Sequence, residues 1–206
     1  MTHVPPRLFK GLFICTSVNM RIYPEDYKQC LTFLLSRVTH YMKLYGVKYI
    51  LSGGSLLGAV RTGVRIPGDY DEDLDLLPGK SNRKRFFDMV KFLKHNGSLG
   101  IAVTLALPQM VKFSPCVRRE LIHNFDRPGI PNPTLDVFVL DKTSQGEIRI
   151  VGGVFPKWTY KKGELYPLRT LFYEGMALSG PHDPIGIFTR YYGDWKTPRF
   201  KEWPTS

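Results

Sequence analysis

Residues 53–76 read GGSLLGAVRTGVRIPGDYDEDLDL, and this stretch predicts both the local fold and the chemistry. The apolar run at 47–51 that precedes it is typical of a short buried strand. The run SLLGAVR at 55–61 suits a short helix, so the order is strand, glycine turn and helix. Glycine at such a turn lets the backbone approach a phosphate closely, and helix N-terminal amides bind its oxygens. We therefore expect Gly54 and Ser55 to contact phosphate.

Acidic residues alternate with apolar residues in the second half of this stretch. If Asp71 to Leu76 form a strand, Asp73 and Asp75 lie about 7 Å apart on one face, while Leu74 and Leu76 enter the core. Two carboxylates at that separation repel each other unless a cation binds them or their pKa values rise. Their hard oxygen atoms favour Mg²⁺, Mn²⁺ or Ca²⁺ over zinc. A solvated acidic loop is the alternative interpretation.

A third carboxylate, Asp136, stands near the start of the apolar run TLDVFVL at 134–140. An ionised carboxylate in such a strand is costly unless a cation or hydrogen bonds compensate it. We expect Asp136 to lie beside Asp73 and Asp75 and to face the same ions. A capped or partly exposed strand end is the alternative for this residue.

The order of the remaining hydrophobic patterns predicts a mixed α/β domain rather than a helical bundle or a β-sandwich. An amphipathic helix is expected from Pro24 to Tyr45, and Ser81 is expected to cap a second helix that ends near Gly97. Further expected elements are strands at 101–107, 135–140 and 148–154, a loop at 127–133 and a last helix from Pro184 to Gly193. The 206 residues suit a single domain, with a core at about 24–198.

The net charge is +11, from 29 Lys and Arg against 18 Asp and Glu. Five of the acids lie at 69–75, so the basic remainder predicts a partner that carries phosphate. Three widely spaced cysteines exclude a disulfide framework and a CxxC zinc site, which favours a reducing compartment. No apolar run reaches the 18 or so residues of a membrane span. The expected location is therefore cytoplasmic, either soluble or peripheral to a membrane.

Three common motifs do not fit. An EF-hand loop that begins at Asp69 or Asp71 would need glycine at its sixth position, where leucine stands. The GKS at 79–81 lacks the upstream glycine of a P-loop. A serine nucleophile at Ser55 would need a glycine in place of Leu57, so a serine hydrolase is not expected.

The segments GGSLLGAVRTGVRIP at 53–67 and DEDLDL at 71–76 resemble the hallmark of the LicD family, within the nucleotidyltransferase superfamily. This family includes bacterial phosphocholine transferases, fukutin and fukutin-related protein. LDVF at 135–138 resembles its third-acid strand, and YYGDWKTP at 191–198 resembles its C-terminal signature. The chain departs from the pattern at 68–70, because members usually have tryptophan and a single aspartate between the proline and the acidic strand.

The resemblance implies a nucleotidyltransferase-like fold, with a mixed β-sheet flanked by helices. It also implies Mg²⁺-dependent transfer of a phosphoalcohol, such as phosphocholine or an alditol phosphate, to a glycan hydroxyl from a CDP-activated donor such as CDP-choline or CDP-ribitol. In that scheme Asp73, Asp75 and Asp136 bind metal and are catalytic, and Asp136 also accepts the proton of the attacking hydroxyl. Gly54 and Ser55 hold the donor diphosphate.

The same scheme gives Arg61 a contact with a phosphate oxygen, although an exposed arginine at a helix end is an equal alternative. A packed end of the last helix is likewise the alternative to a substrate pocket near the C-terminus. The residues expected to shape that pocket are Asp71, Tyr192, Gly193, Asp194 and Trp195.

Two other functions remain open at this stage. The same glycines and carboxylates also serve enzymes that transfer a nucleoside monophosphate to RNA or protein. No recognisable nucleic-acid module accompanies the basic charge, so a specific nucleic acid is not expected. A non-catalytic domain that binds metal or glycan is the third possibility, and it predicts a damaged set of acids, whereas all three expected acids are present.

Overall fold

The computed structural model describes residues 24–96, 99–115, 133–153 and 158–197, and these form a mixed β-sheet with helices packed against it. The helices are α1 (Pro24–Leu44), α2 (Gly53–Arg61), α3 (Lys80–His95), α4 (Lys162–Leu165) and α5 (Ile185–Tyr192). The strands are β1 (Tyr49–Leu51), β2 (Asp71–Leu76), β3 (Ile101–Leu107), β4 (Met110–Pro115), β5 (Thr134–Lys142), β6 (Ile148–Ile150), β7 (Thr159–Tyr160), β8 (Arg169–Tyr173) and β9 (Met176–Gly180).

The sheet has the strand order β1-β2-β5-β4-β3, and β6 and β7 continue from the far half of β5. Strands β2 and β5 are parallel, whereas β1 and β4 pair with them in the antiparallel sense. In the β2–β5 register Asp73 lies opposite Asp136, and Asp75 lies opposite Phe138. Because residues in register point to the same side of a sheet, these side chains share one face.

The opposite face of the two central strands forms the main core. Leu74 and Leu76 of β2 are fully buried there beside Val137 and Val139 of β5. Helix α1 covers this face with an apolar stripe at three- and four-residue steps. Buried residues of the stripe include Leu31, Leu34, Leu35, Val38 and Met42. The sheet therefore has one apolar face under α1, while Asp71, Asp73 and Asp75 of β2 lie on the other face.

The predicted mixed α/β architecture is confirmed, together with α1, β3 and the last helix, which ends at Gly193 as expected. The expected helix at 55–61 begins two residues earlier, at Gly53. Strand β5 runs from Thr134 to Lys142 and is longer than expected. The loop expected at 127–133 lies outside the described residues except for its last residue, Pro133.

Two of the expected boundaries are wrong. Helix α3 begins at Lys80, with Gly79 at the N-cap position, so Ser81 lies inside the first turn. Its hydroxyl accepts a hydrogen bond from Arg85 instead of capping the helix. The strand expected at 148–154 ends at Ile150, where a 3-10 turn at Val151–Gly153 bends the chain. Among the described residues, no helix has the length and apolar character needed to cross a membrane.

Candidate active site

Two glycines bring the start of α2 against the carboxylate face. Gly53 has φ +51°, and a Cβ there would lie 2.1 Å from Oδ2 of Asp73. A Cβ on Gly54 would lie 2.2 Å from Oδ2 of Asp69. With its positive φ and its contact with the whole Asp73 carboxylate, Gly53 requires glycine, whereas a side chain on Gly54 would displace the Asp69 carboxylate. The Gly54 amide donates a hydrogen bond to Asp73 over 3.3 Å.

A pocket of about 250 Å³, the reaction pocket, lies beside this turn. Its walls are formed by Ser52, Gly53, Asp71, Asp73, Asp75, Asp136, Phe138, Ile150, Trp158 and Tyr191. The structure thus brings together the three carboxylates expected to bind metal, two from β2 and one from β5, and adds Asp71 to them. Aromatic and aliphatic side chains, those of Phe138, Ile150, Trp158 and Tyr191, complete the lining.

The crowded carboxylates disfavour their own ionisation. Burial raises the pKa of Asp73 well above its usual range, and the negative charges of Asp71 and Asp136 raise it further. Asp69, in the loop before β2, has its pKa raised to about 7, first by burial and then by Asp71. A cation bound beside these carboxylates would lower the pKa of both Asp73 and Asp69, because its positive charge favours the ionised forms.

Asp75 is held by two aromatic side chains that the sequence did not indicate. The Tyr160 hydroxyl donates to Asp75 Oδ2 over 2.6 Å, and the Trp158 indole nitrogen donates to the same oxygen over 3.2 Å. Burial raises the pKa of Asp75 to about 6, although these donors oppose the rise. The other oxygen, Oδ1, is buried without a hydrogen-bond partner.

Asp136 is held in a similar way by Lys112. The Lys112 ammonium lies 2.7 Å from Asp136 Oδ2, and the two residues are register partners on β4 and β5. Burial raises the pKa of Asp136, and Lys112 opposes this. Oδ1 of Asp136 is again buried without a partner. The sequence analysis did not predict this contact; a lysine between the apolar residues Val111 and Phe113 is the one signal that could have indicated it.

The carboxylate oxygens of this pocket are donors of the kind that divalent cations bind. As placed here, no three acidic, histidine or cysteine side chains among the described residues converge closely enough to enclose an ion. The chemistry of the set nevertheless suits Mg²⁺ or Mn²⁺, because two buried carboxylate oxygens, on Asp75 and Asp136, have no partner. Hard oxygen atoms with unmet negative charge are the donors that these ions prefer.

The structure corrects the expected position of Ser55. Its side chain is fully buried, and its hydroxyl donates to Glu72 over 2.6 Å and accepts from the Asp73 amide over 2.9 Å. The reason is Glu72, which points to the core face of β2 and needs donors there. Arg65 supplies the others, with Nε 2.7 Å from Glu72 Oε1. Ser55 therefore stabilises the strand behind the pocket and does not line it.

Arg61 is also placed differently from the expected phosphate contact. Its guanidinium donates to the backbone carbonyls of Trp195 and, over 3.4 Å, of Thr197. The side chain thereby ties the end of α2 to the segment that follows α5.

A second and larger pocket of about 670 Å³, the outer pocket, lies on the other side of the glycine turn. Its walls are formed by Gly54, Leu57, Arg61, Ile66, Pro67, Gly68, Asp69, Tyr70, Asp71, Tyr191, Tyr192, Asp194, Trp195 and Thr197. Four of the five residues expected near the C-terminal pocket are in this set. Gly193 is not in it; with φ +69° it ends α5.

Sequence comparison finds the same family that the motifs resemble. Residues 46–183 match the family model LicD/FKTN/FKRP, nucleotidyltransferase domain. Two relatives are the uncharacterized proteins RT0683 of Rickettsia typhi, 27% identical over 149 residues, and RP689 of Rickettsia prowazekii, 28% identical over 152 residues. Each match covers 72% of this chain but 41% and 48% of the relatives. The chain thus spans less than half the length of the curated relatives it matches.

Structure comparison finds partial likeness to antibiotic-modifying enzymes. A crystal structure of ANT(2'')-Ia with adenylyl-2''-tobramycin is 16% identical, with a TM-score of 0.43 over 72% of this chain and 67% of that one. The lincosamide antibiotic adenylyltransferase LnuA, lincomycin-bound, is 15% identical, with a TM-score of 0.43 over 71% and 77%. Family membership rests on the sequence match instead, which covers more than half of the chain and includes the glycine turn, β2 and Asp136. The chain belongs to the LicD/FKTN/FKRP nucleotidyltransferase-domain family.

Proposed function

We propose that this chain catalyses metal-dependent transfer of a phosphoalcohol from a CDP-activated donor to a glycan hydroxyl. The observation that carries the proposal is the meeting of Asp73, Asp75 and Asp136 in one pocket beside the N-terminus of α2. Family membership supports a transferase of phosphorus-containing groups. The CDP donor, its phosphocholine or alditol phosphate, and the glycan acceptor are the finer part of the proposal.

The glycine turn supplies the phosphate contacts. Gly53 and Gly54 line the two pockets on either side of the turn, and the amides at the start of α2 favour a negatively charged group. Bound Mg²⁺ would neutralise phosphate charge and orient the diphosphate. Asp73, Asp75 and Asp136 are the residues that would hold it, and Oδ1 of Asp75 and Oδ1 of Asp136 have no hydrogen-bond partner.

Asp136 then serves as the proton acceptor. The acceptor hydroxyl oxygen forms a bond with the phosphorus that carries the alcohol, the bond from that phosphorus to the bridging oxygen breaks, and CMP leaves. The hydroxyl proton passes to the carboxylate of Asp136, which Lys112 holds in place through Oδ2. Trp158 and Tyr160 keep Asp75 in place during this step.

The direct test is product analysis with the purified chain. With Mg²⁺ or Mn²⁺ and a glycan acceptor, CDP-choline or CDP-ribitol should yield CMP and a phosphoalcohol-modified glycan. Asp73→Asn should abolish both products, whereas Asp88→Asn, at an exposed residue of α3, is the matched control and should not. CMP release that is unchanged in Asp73→Asn would contradict the proposal.

The same assay separates the alternatives. Pyrophosphate release from CTP with labelling of RNA or protein, without CMP release from either CDP-alcohol, would favour nucleotidyl transfer instead. Binding of metal or glycan without any product would favour a non-catalytic domain. The basic charge outside the acidic stretch is expected to serve phosphate-bearing substrates, so RNA binding should be weak and should fall steeply with salt.

A further inference from the structure

The reaction pocket and the outer pocket meet at the glycine turn. Asp71 and Tyr191 line both pockets, and the neighbours Gly53 and Gly54 line one each. A diphosphate held at this turn would therefore extend into both pockets, with one end at the carboxylates and the other end in the outer pocket.

The volumes of the two pockets indicate which of them binds the alcohol end of the donor and which binds the nucleoside end. Sites for small molecules typically have volumes of about 300–1,000 Å³. The outer pocket, at about 670 Å³, lies within that range, and the reaction pocket, at about 250 Å³, lies below it. The smaller pocket also holds the carboxylates, so the reacting phosphate and its alcohol belong there. The larger pocket is left for the nucleoside.

The lining of the outer pocket suits a planar base. Tyr70, Tyr192 and Trp195 contribute aromatic rings to its walls. Aromatic faces bind nucleobases by stacking, with little dependence on the base. Two of these residues are fixed by their neighbours: Trp195 packs on Phe188 with ring centroids 5.2 Å apart, and the Tyr70 carbonyl accepts a 2.7 Å hydrogen bond from Tyr27.

Hydrogen bonds hold the wall that carries Trp195 in a defined conformation. The Asp194 carboxylate accepts a 2.6 Å hydrogen bond from the Thr197 hydroxyl, which closes a tight turn after α5. Arg61 donates to the carbonyls of Trp195 and Thr197 on either side of this turn. The charge of Arg61 is thus directed at the backbone of the wall.

We propose that the outer pocket binds the nucleoside of the activated donor, with Trp195 stacked on the base and Arg61 as the positioning residue for its wall. The inference rests on the proposed function for the position of the diphosphate. It assigns Arg61 a different task from the phosphate contact that the family resemblance implied.

Tryptophan fluorescence tests the assignment, because the described part of the chain has one tryptophan in each pocket. In a Trp203→Phe background, CMP should quench fluorescence, and the quench should survive Trp158→Phe and vanish in Trp195→Phe. Phosphocholine alone should leave Trp195 unquenched. A quench that vanishes in Trp158→Phe but survives in Trp195→Phe, or CMP binding that quenches neither, would overturn the inference. If a variant does not fold, ¹⁹F NMR of fluorotryptophan in the unmodified chain measures the same response.

The kinetic test concerns Arg61. Arg61→Gln should raise KM for the CDP donor about tenfold, the loss expected for one charged hydrogen bond, with kcat within about twofold. Arg61→Lys should recover part of the affinity. A fall in kcat with unchanged KM would overturn the positioning role. CMP binding can be measured without turnover, so the two proposals can fail separately. If CMP quenches Trp195 but no phosphoalcohol is transferred, only the proposed function is refuted. If transfer occurs but CMP quenches Trp158 instead, only this inference is refuted.

Discussion

Glu72 and Asp73 are adjacent carboxylates on the same strand, yet the two faces of β2 give them opposite surroundings. Glu72 points to the core and is matched by Arg65 and the Ser55 hydroxyl. Asp73 points to the reaction pocket, where burial, and then the charges of Asp71 and Asp136, raise its pKa. A buried carboxylate with matched donors stabilises the fold, whereas a carboxylate surrounded by other carboxylates stores repulsion that a ligand can relieve.

We call the side of β2 that carries Asp73 the pocket face and the side that carries Glu72 the core face. Substitutions on the pocket face should have their largest effect on catalysis. Asp73→Asn and Asp136→Ala should each lower kcat by several orders of magnitude, because a metal ligand and the proton acceptor are lost. Both variants should fold, and Asp136→Ala should still bind CMP, since the glycine turn and β2 are unchanged. Steady-state kinetics, melting curves and CMP titration measure the three quantities. Activity close to that of the unmodified chain in either variant would assign the pocket face a structural role.

Substitutions on the core face should have their largest effect on the stability of the fold. Arg65→Met leaves Glu72 buried without its cation and should lower the free energy of unfolding by about 3–5 kcal/mol. Arg83→Met, which breaks the exposed pair with Asp141, is the matched control and should cost about 0–1 kcal/mol. Urea denaturation measures both. Equal losses in the two variants would mean that Glu72 does not need its partner.

The sequence was informative where one local rule governs the structure. Alternation within DEDLDL correctly placed Asp73 and Asp75 on one face, and the apolar run around Asp136 correctly placed it on a neighbouring strand. The same alternation puts Glu72 on the core face, and that consequence explains why the expected position of Ser55 was wrong.

The remaining contacts depend on pairing between distant segments. Lys112 reaches Asp136 because β4 pairs with β5, and Tyr160 reaches Asp75 from 85 residues away through β6 and β7. Neither β4 nor β7 has a pattern that the sequence alone identified. The carbonyls that receive Arg61 likewise belong to a turn whose position is fixed by tertiary packing.

A smaller effect on catalysis is expected from Lys112, whose ammonium group contacts Asp136. Lys112→Met should lower kcat roughly 10- to 100-fold, the range found for residues that orient a ligand of a metal, with little change in donor KM. Lys112→Arg keeps the charge and should recover part of the loss. Separate measurement of kcat and KM makes the distinction: a change in KM alone would show that Lys112 contacts the donor instead of orienting Asp136.

The smallest effect concerns pH and arises at Asp69, in the loop that leads into β2. The pKa of Asp69 is about 7 in the folded chain, against an ordinary value near 4. The folded state therefore holds a proton between about pH 4 and 7 that the unfolded state has released, so this group lowers stability as pH rises through that window. Without divalent ions, Asp69→Asn should melt a few degrees above the unmodified chain at pH 8 and no higher at pH 4. Saturating Mg²⁺ should shrink the difference, because it offsets the same repulsion, and Asp88→Asn should show no such dependence. Equal melting temperatures for Asp69→Asn and the unmodified chain at pH 8 without metal would mean that Asp69 ionises in the folded chain without a cost to stability.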